Sequence, residues 1–334
     1  MYWKPTKYTI GDLELESGET IQDCQISACI HGKPSQTVNN VILVAASLGG
    51  NHRRLDFLIG PNRALDTNRY CVIATDALGN GLSSSPSNSK SQPGHLFPKF
   101  SIRDMVASQS QLLDRLAIPR VHCVIGASMG GMQALQWAVS HPKRMDCIVA
   151  LTPMARTPAW SQAITLVSRQ LLMAHDDWKD GQTSSGILRC WIALLDIIAC
   201  STPSATSKRL PTNDLQEFLE AGIKTLTTNP PDPRDWIWQT LAYDQYDLGT
   251  TPGVEGGTRS ALNSICVPTL ILAAPGDLMN HESEAKWAAE HITNSVYYEI
   301  PSEEGHQAAT DVGITEVEFM NLEIAKFLRK QLVS

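Results

Sequence analysis

The sequence predicts an α/β chain: a mostly parallel, doubly wound sheet with a helical cap inserted between two strands. Three observations carry this expectation. Brief apolar runs rich in Val and Ile are bounded by Gly, Pro, Asn or Asp, as in strands covered on both faces. Helical patterns alternate with these runs, and strand–helix–strand alternation winds a parallel sheet. From about Thr157 to Gly257 the rhythm stops, and the chain is rich in Trp, Leu, Asp and Pro without a clear core strand.

Each element follows in order. Tyr8 to Ile30 reads as antiparallel strands. Central strands are predicted at Val41 to Ser47, Tyr70 to Thr75, Val121 to Gly126, Cys147 to Leu151 and Thr269 to Ala274, with a last strand at Val296 to Ile300. Helical spacing marks Ile102 to Leu116, Gly130 to Ser140 and an amphipathic closing helix at Glu316 to Leu332. Inside the insertion, Ile164 to His175, Gly186 to Cys200 and Asp214 to Thr225 read as helices. The polar stretch Ser83 to Gln92 reads as a short loop between ordered elements. The expected core is residues 1–156 with 258–334, and the expected cap is 157–257.

Composition narrows the functional classes. The chain has 334 residues, of which 43% are hydrophobic, enough for a sizeable core. The formal net charge of -7 includes no long run of one sign, so neither nucleic acid nor an anionic membrane is an expected partner. No apolar run approaches the roughly 18 residues of a membrane span, and the N-terminal stretch lacks the apolar segment of a secretory signal. A cytoplasmic setting is the expectation. The eight cysteines form no C-x-x-C pair and no zinc spacing, so no metal site is expected. Cys71, Cys123, Cys147 and Cys266 sit in apolar runs and are expected to be buried small hydrophobes.

One corner carries chemistry. Gly126-Ala127-Ser128-Met129-Gly130 matches G-x-S-x-G, with an apolar strand before it and a helical pattern after it. That context marks a nucleophile elbow, where a tight strand-to-helix turn lifts the serine above the sheet. A serine hydroxyl is a weak nucleophile near neutral pH and needs a base, which in turn needs an orienting partner. In α/β-hydrolases the chain order is Ser, then Asp or Glu, then His, in loops after late strands. The strand at Thr269 to Ala274 leads to Asp277, the candidate acid. The strand at Val296 to Ile300 leads to His306, the candidate base. Asp244 and Asp247 are rival acids inside the cap, and Glu303 and Glu304 read as solvated loop charges. Oxyanion donors are expected at the Met129 N–H and, from the loop Ser47-Leu48-Gly49-Gly50, at Leu48 or Ser47. His52, His122 and His141 read as structural or surface residues.

The segment Gly126 to Pro142 (GASMGGMQALQWAVSHP) closely resembles the nucleophile segment of homoserine O-acetyltransferases. Gly60 to Tyr70, Ala77 to Asn88, Ile102 to Val106, Ser168 to Gln170 with Asp176 to Trp178, and Thr240 to Asp247 are similar in the same order. The resemblance runs from about Val41 to the C-terminus. It implies an α/β-hydrolase core with a helical lid, the triad Ser128, Asp277 and His306, and a ping-pong route through an acyl-serine. It also implies a homodimer associating through its caps, and acetyl-CoA as co-substrate if the chain is a transferase. No resident cofactor is implied.

The departures from that family are informative. The family usually follows the histidine with an aspartate that meets the amino group of homoserine, and this chain has Gln307. A cap arginine of the family grips the substrate carboxylate, whereas the matching stretch near Gly186 to Ser201 is mostly apolar, with Arg189 a possible substitute. Leu241 replaces an arginine in the segment that resembles L-T-R-A-x-D. The loop after Val41 to Ala46 also differs from the family's H-A-L-T-G. Arg169, Tyr243 and Gln307 stand as the substrate-contacting candidates. Losing charged partners costs a zwitterionic substrate heavily. The expectation is therefore a hydrolase of short-chain, acetyl-type esters, with acetyl-CoA-dependent O-acetyl transfer to homoserine or another alcohol as the alternative.

Overall fold

Runs such as Val41–Ala45 (VILVA) become central strands because β-branched side chains fit a pleated surface and apolar side chains on both faces need cover. The computed structural model describes residues 4–199 and 231–331, and elements are numbered here in chain order among them. Two long antiparallel strands, β1 (Thr6–Glu14) and β2 (Thr20–His31), open the chain. They are followed by β3 (Val41–Ala45), β4 (Cys71–Thr75), β5 (Val121–Ala127), β6 (Met145–Leu151), β7 (Thr269–Ala273) and β8 (Ser295–Glu299). All eight lie in one sheet of order β1-β2-β4-β3-β5-β6-β7-β8, parallel from β4 to β8.

Strand periodicity sends alternate side chains to opposite faces. Leu43, Ile73, Val124 and Ile148 pack with α1 (Ile102–Arg115), α2 (Met129–Ser140) and α7 (Glu282–His291) on one side. Ile42, Val44, Val72 and Val149 pack with α8 (Ile314–Gln331) on the other. Each such Ile, Leu or Val contributes roughly 1.5–3 kcal/mol by leaving water.

The insertion lies between β6 and β7. It holds α3 (Ala159–Met173), α4 (Ser185–Ala199), α5 (Pro233–Asp244) and the short α6 (Gly257–Asn263). Its entry and exit are pinned together: Leu248 N–H donates to Ala155 O at 2.8 Å, and Thr157 N–H donates to Tyr246 O at 2.9 Å. A buried ion pair, Arg169 Nη2 to Asp244 Oδ2 at 2.6 Å, ties α3 to α5.

The sequence reading misses α5, α6 and α7. Helix α5 buries Trp236, Ile237 and Trp238 in succession with Gln239 and Thr240, so it shows no apolar stripe. Its legible signal is its start, where the Asp232 side chain caps the Arg234 N–H and Pro233 opens the first turn. The expected helix at Asp214 to Thr225 lies outside the described residues. Cys71, Cys123 and Cys147 are buried, but Cys266 is exposed, because it falls in the turn before β7 rather than in the strand. The polar stretch Ser83 to Gln92 is an ordered loop: Ser83 Oγ donates to Asp76 O at 2.7 Å, and the Asn88 amide donates to Gly81 O and Ser83 O. Among the described residues, no helix is long and apolar enough to cross a membrane.

Candidate active site

The turn between β5 and α2 is built from close backbone approach. A Cβ on Gly126 would sit 2.3 Å from the backbone of Gly130, and one on Gly130 would sit 2.4 Å from Ala45 O. Only glycine fits either position. Between them Ser128 has φ 57° and ψ -122°, a conformation that costs a non-glycine residue about 1–3 kcal/mol. It is held there by its N–H donating to Leu151 O at 2.9 Å and by its carbonyl accepting from Met132 N–H at 3.0 Å. The result is a buried serine at the N-terminus of α2, where helix partial charge favours an anion.

The loop after β7 carries Asp277, fully buried, and the loop after β8 carries His306. His306 Nδ1 lies 2.7 Å from Asp277 Oδ2. The other carboxylate oxygen accepts from the backbone N–H groups of Met279 and Asn280, each at 2.8 Å. Three hydrogen bonds thus fix the carboxylate and leave the far side of the imidazole for proton transfer. Ser128 and His306 line one cavity of about 650 Å³, without a hydrogen bond between them. The rival acids are engaged elsewhere: Asp244 with Arg169, and Asp247 Oδ1 with the Thr258 hydroxyl at 2.7 Å and the Gly249 N–H at 2.8 Å.

The loop after β3 forms another wall. Ser47 and Leu48 both line the cavity. Ser47 Oγ donates to Ala127 O at 2.7 Å, which pins this loop beside the elbow. Gly49 N–H donates to Gln239 Oε1 on α5 at 2.9 Å. Among the described residues, the N–H groups of Ser47, Leu48 and Met129 have no partner, so each remains a donor for an anion.

The substrate-contacting candidates separate. Gln307 lines the cavity. Arg169 and Tyr243 do not: Arg169 is buried against Asp244, and Tyr243 is fully buried with its hydroxyl donating to Asn280 Oδ1 at 2.6 Å. Burial pushes the Tyr243 phenol well up, with the neighbouring Asp277 and Asp244 charges acting in the same direction. Arg189 is exposed and does not reach the cavity wall. The α4 face that does reach it presents Trp191, Ile192, Leu195 and Ile198, joined by Trp236 from α5 and Met279. Trp191 and Trp236 meet edge to face at 5.0 Å.

Sequence reasoning also missed the charged rim of Arg53, Arg54, Asp196 and Asp311. Burial raises the Asp196 carboxyl and lowers the Arg54 guanidinium, the latter opposed by Asp311. The signal available was position alone, since Arg53 and Arg54 lie just beyond the glycine loop, after Asn51 and His52. Two of the histidines set aside have acidic partners distant in sequence. His52 Nδ1 lies 3.0 Å from Asp76 Oδ2, and His122 Nδ1 lies 3.2 Å from Asp146 Oδ2. His141 packs on Trp137. Glu303 is exposed and Glu304 half-buried.

A family model described as alpha/beta hydrolase fold matches residues 40–189. The sheet order, the elbow and this match define the class: an enzyme of the α/β-hydrolase superfamily, either an acyltransferase or an esterase. Within that class the chain belongs to the homoserine O-acetyltransferase family. It is 30% identical to the homoserine O-acetyltransferase of Corynebacterium diphtheriae over 91% of this chain and 89% of that one. It is 36% identical to that of Corynebacterium efficiens over 90% and 87%. Among solved structures, the acetyl esterase MekB superposes with a TM-score of 0.89 at 25% identity, covering 98% of this chain and 97% of that one. The homoserine O-acetyltransferase from Bacillus anthracis shares the fold with a TM-score of 0.85 at 21% identity and 99% coverage of each chain.

Proposed function

We propose that this protein is a serine hydrolase of short-chain, acetyl-type carboxylic esters, working through an acyl-Ser128 intermediate. Ser128 Oγ attacks the acyl carbonyl while His306 takes its proton as general base. Asp277 orients the imidazole and stabilises the imidazolium. The oxyanion meets the N–H of Met129 and of Leu48, with Ser47 anchoring the loop. His306 then returns the proton to the leaving alcohol as the ester C–O bond breaks. Water attacks the acyl-serine, again deprotonated by His306, and the carboxylic acid leaves with Ser128 restored. Neither a metal ion nor an organic cofactor takes part in this route, and the substrate is a small molecule.

The observation that carries the hydrolytic reading is the wall facing Ser128. Trp191, Ile192, Leu195 and Ile198 occupy the cap side, Gln307 stands beside the base, and Arg169 is engaged with Asp244. An apolar wall favours a small neutral acyl and alkyl group. The same acyl-enzyme can pass its acetyl group to an alcohol, and this second reading is favoured by relatives named homoserine O-acetyltransferase at 30–36% identity. In that reading acetyl-CoA donates the acetyl group and the charged rim at Arg53, Arg54, Asp196 and Asp311 receives a polar acceptor.

The deciding experiment offers purified protein an activated acetate ester and, separately, acetyl-CoA, each with and without homoserine. Free acetate from the ester, indifferent to homoserine, is the expected result. Acetyl-homoserine with release of CoA would replace the hydrolase by the transferase. Ser128→Ala should lower either activity by roughly 10⁴-fold or more and abolish labelling by a serine-directed phosphonate.

We also propose a homodimer formed through the cap. Trp160, Leu166, Val167 and Met173 make an exposed apolar stripe along α3, with Trp160 62% accessible.

A further inference from the structure

The acid loop is held by the cap as well as by its own turn. Directly after Asp277, three successive residues each receive a hydrogen bond from the insertion. The Trp160 indole N–H donates to Leu278 O at 2.7 Å. Ser161 Oγ donates to Met279 O at 2.7 Å. Tyr243 Oη donates to Asn280 Oδ1 at 2.6 Å. The backbone N–H groups of Met279 and Asn280 are the donors that fix Asp277 Oδ1. The Asn280 amide then reaches back to Thr152 O at 2.7 Å, beside the end of β6. Ser161, Tyr243 and Asn280 are buried, so water cannot replace these bonds.

We infer that Tyr243 and Ser161, with Trp160, are positioning residues: the cap sets the path of residues 278–280 and thereby the orientation of Asp277 toward His306. The chain of contacts is continuous. A donor on α5 or α3 fixes a carbonyl or amide of the loop, the loop's N–H groups fix one carboxylate oxygen, and the other oxygen fixes His306. Helices α3 and α5 are tied to each other: Arg169 pairs with Asp244, and Thr165 Oγ1 donates to Asp244 Oδ1 at 2.5 Å. The cap that walls the substrate cavity is thus also the element that aligns the proton-transfer pair. This inference rests on the proposed roles of Ser128, His306 and Asp277.

The test compares Tyr243→Phe and Ser161→Ala with Trp238→Phe. Trp238 is on the same helix as Tyr243 and donates a buried hydrogen bond to Phe97 O at 2.9 Å, away from the acid loop. Two readouts are taken: the kcat and KM for an activated acetate ester, and the downfield proton resonance of the His306 Nδ1–H bonded to Asp277 in the resting protein. Tyr243→Phe and Ser161→Ala are each expected to lower kcat on the order of tenfold with KM unchanged, and to move the resonance. Trp238→Phe is expected to lower Tm while leaving both readouts alone. Wild-type kcat and resonance in Tyr243→Phe would overturn the inference. So would equal changes in Trp238→Phe, which would make the effect one of general stability. The resonance needs no turnover, so it tests the positioning role even if an active Ser128→Ala were to overturn the catalytic reading.

Discussion

At the scale of single residues, Ser128 is where backbone strain meets the proposed chemistry. Its φ of 57° places Cβ in a region that glycine occupies freely, and its side chain makes no capping bond in return. Ser128→Gly should therefore raise unfolding stability by about 1 kcal/mol, the strain relieved less the entropy of a new glycine. Urea denaturation would read this, alongside complete loss of ester cleavage. A destabilised Ser128→Gly would show that the turn is not strained at this residue. Gly126 behaves oppositely, because an added Cβ meets backbone rather than a movable side chain.

At the scale of elements, the cap depends on buried charge. The Arg169–Asp244 pair is about nine-tenths buried at both side chains. Removing one partner leaves the other charge uncompensated, so Asp244→Ala should cost roughly 3–5 kcal/mol. Arg169→Met should lower Tm but leave KM for an acetate ester unchanged, because Arg169 does not line the cavity. A raised KM without loss of stability would restore Arg169 as a substrate contact. The first turn of α5 makes a pH prediction. Burial pushes the Asp235 carboxyl from its ordinary 3.8 up to about 7, against two hydrogen bonds from Ser87 that favour its charged form. The folded chain then keeps a proton that the unfolded chain releases, so stability falls as pH rises from about 4 to about 7 and stays low above it. Asp235→Asn should flatten that slope, and relative to wild type it should gain on the order of 4 kcal/mol between pH 4 and pH 8. Equal effects of Asp235→Asn at the two pH values would show that the Asp235 carboxyl titrates alike in the folded and unfolded chain.

At the scale of the whole molecule, the insertion joins three tasks in one body: it walls the cavity, braces the acid loop and exposes an apolar stripe. The proposed dimer predicts that the wild-type chain sediments at twice its monomer mass, while Leu166→Asp with Val167→Asp gives a monomer that retains its fold. A monomeric wild type at micromolar concentration would remove the dimer. Because α3 also carries Ser161, the monomeric variant offers a second view of how the cap's setting bears on kcat.

The sequence by itself determined the sheet and its corner. Five central runs are predominantly apolar, as strands covered on both faces require. Glycines at 126 and 130 around Ser128 announce a turn that admits no other residue, and Asp277 and His306 follow strands at positions that local pattern alone exposes. Helix α5 stayed illegible because residues buried on every side leave no periodicity to read. Only the tertiary structure decided what long-range partners do. It joined Arg169 to Asp244 across 74 intervening positions, drew Tyr243 to Asn280 rather than to a substrate, and turned Trp191 toward Ser128 while leaving Arg189 outside. Local periodicity reports which face is apolar, but the identity of a buried polar group's partner is set by which helices meet, and that is fixed only when the chain packs.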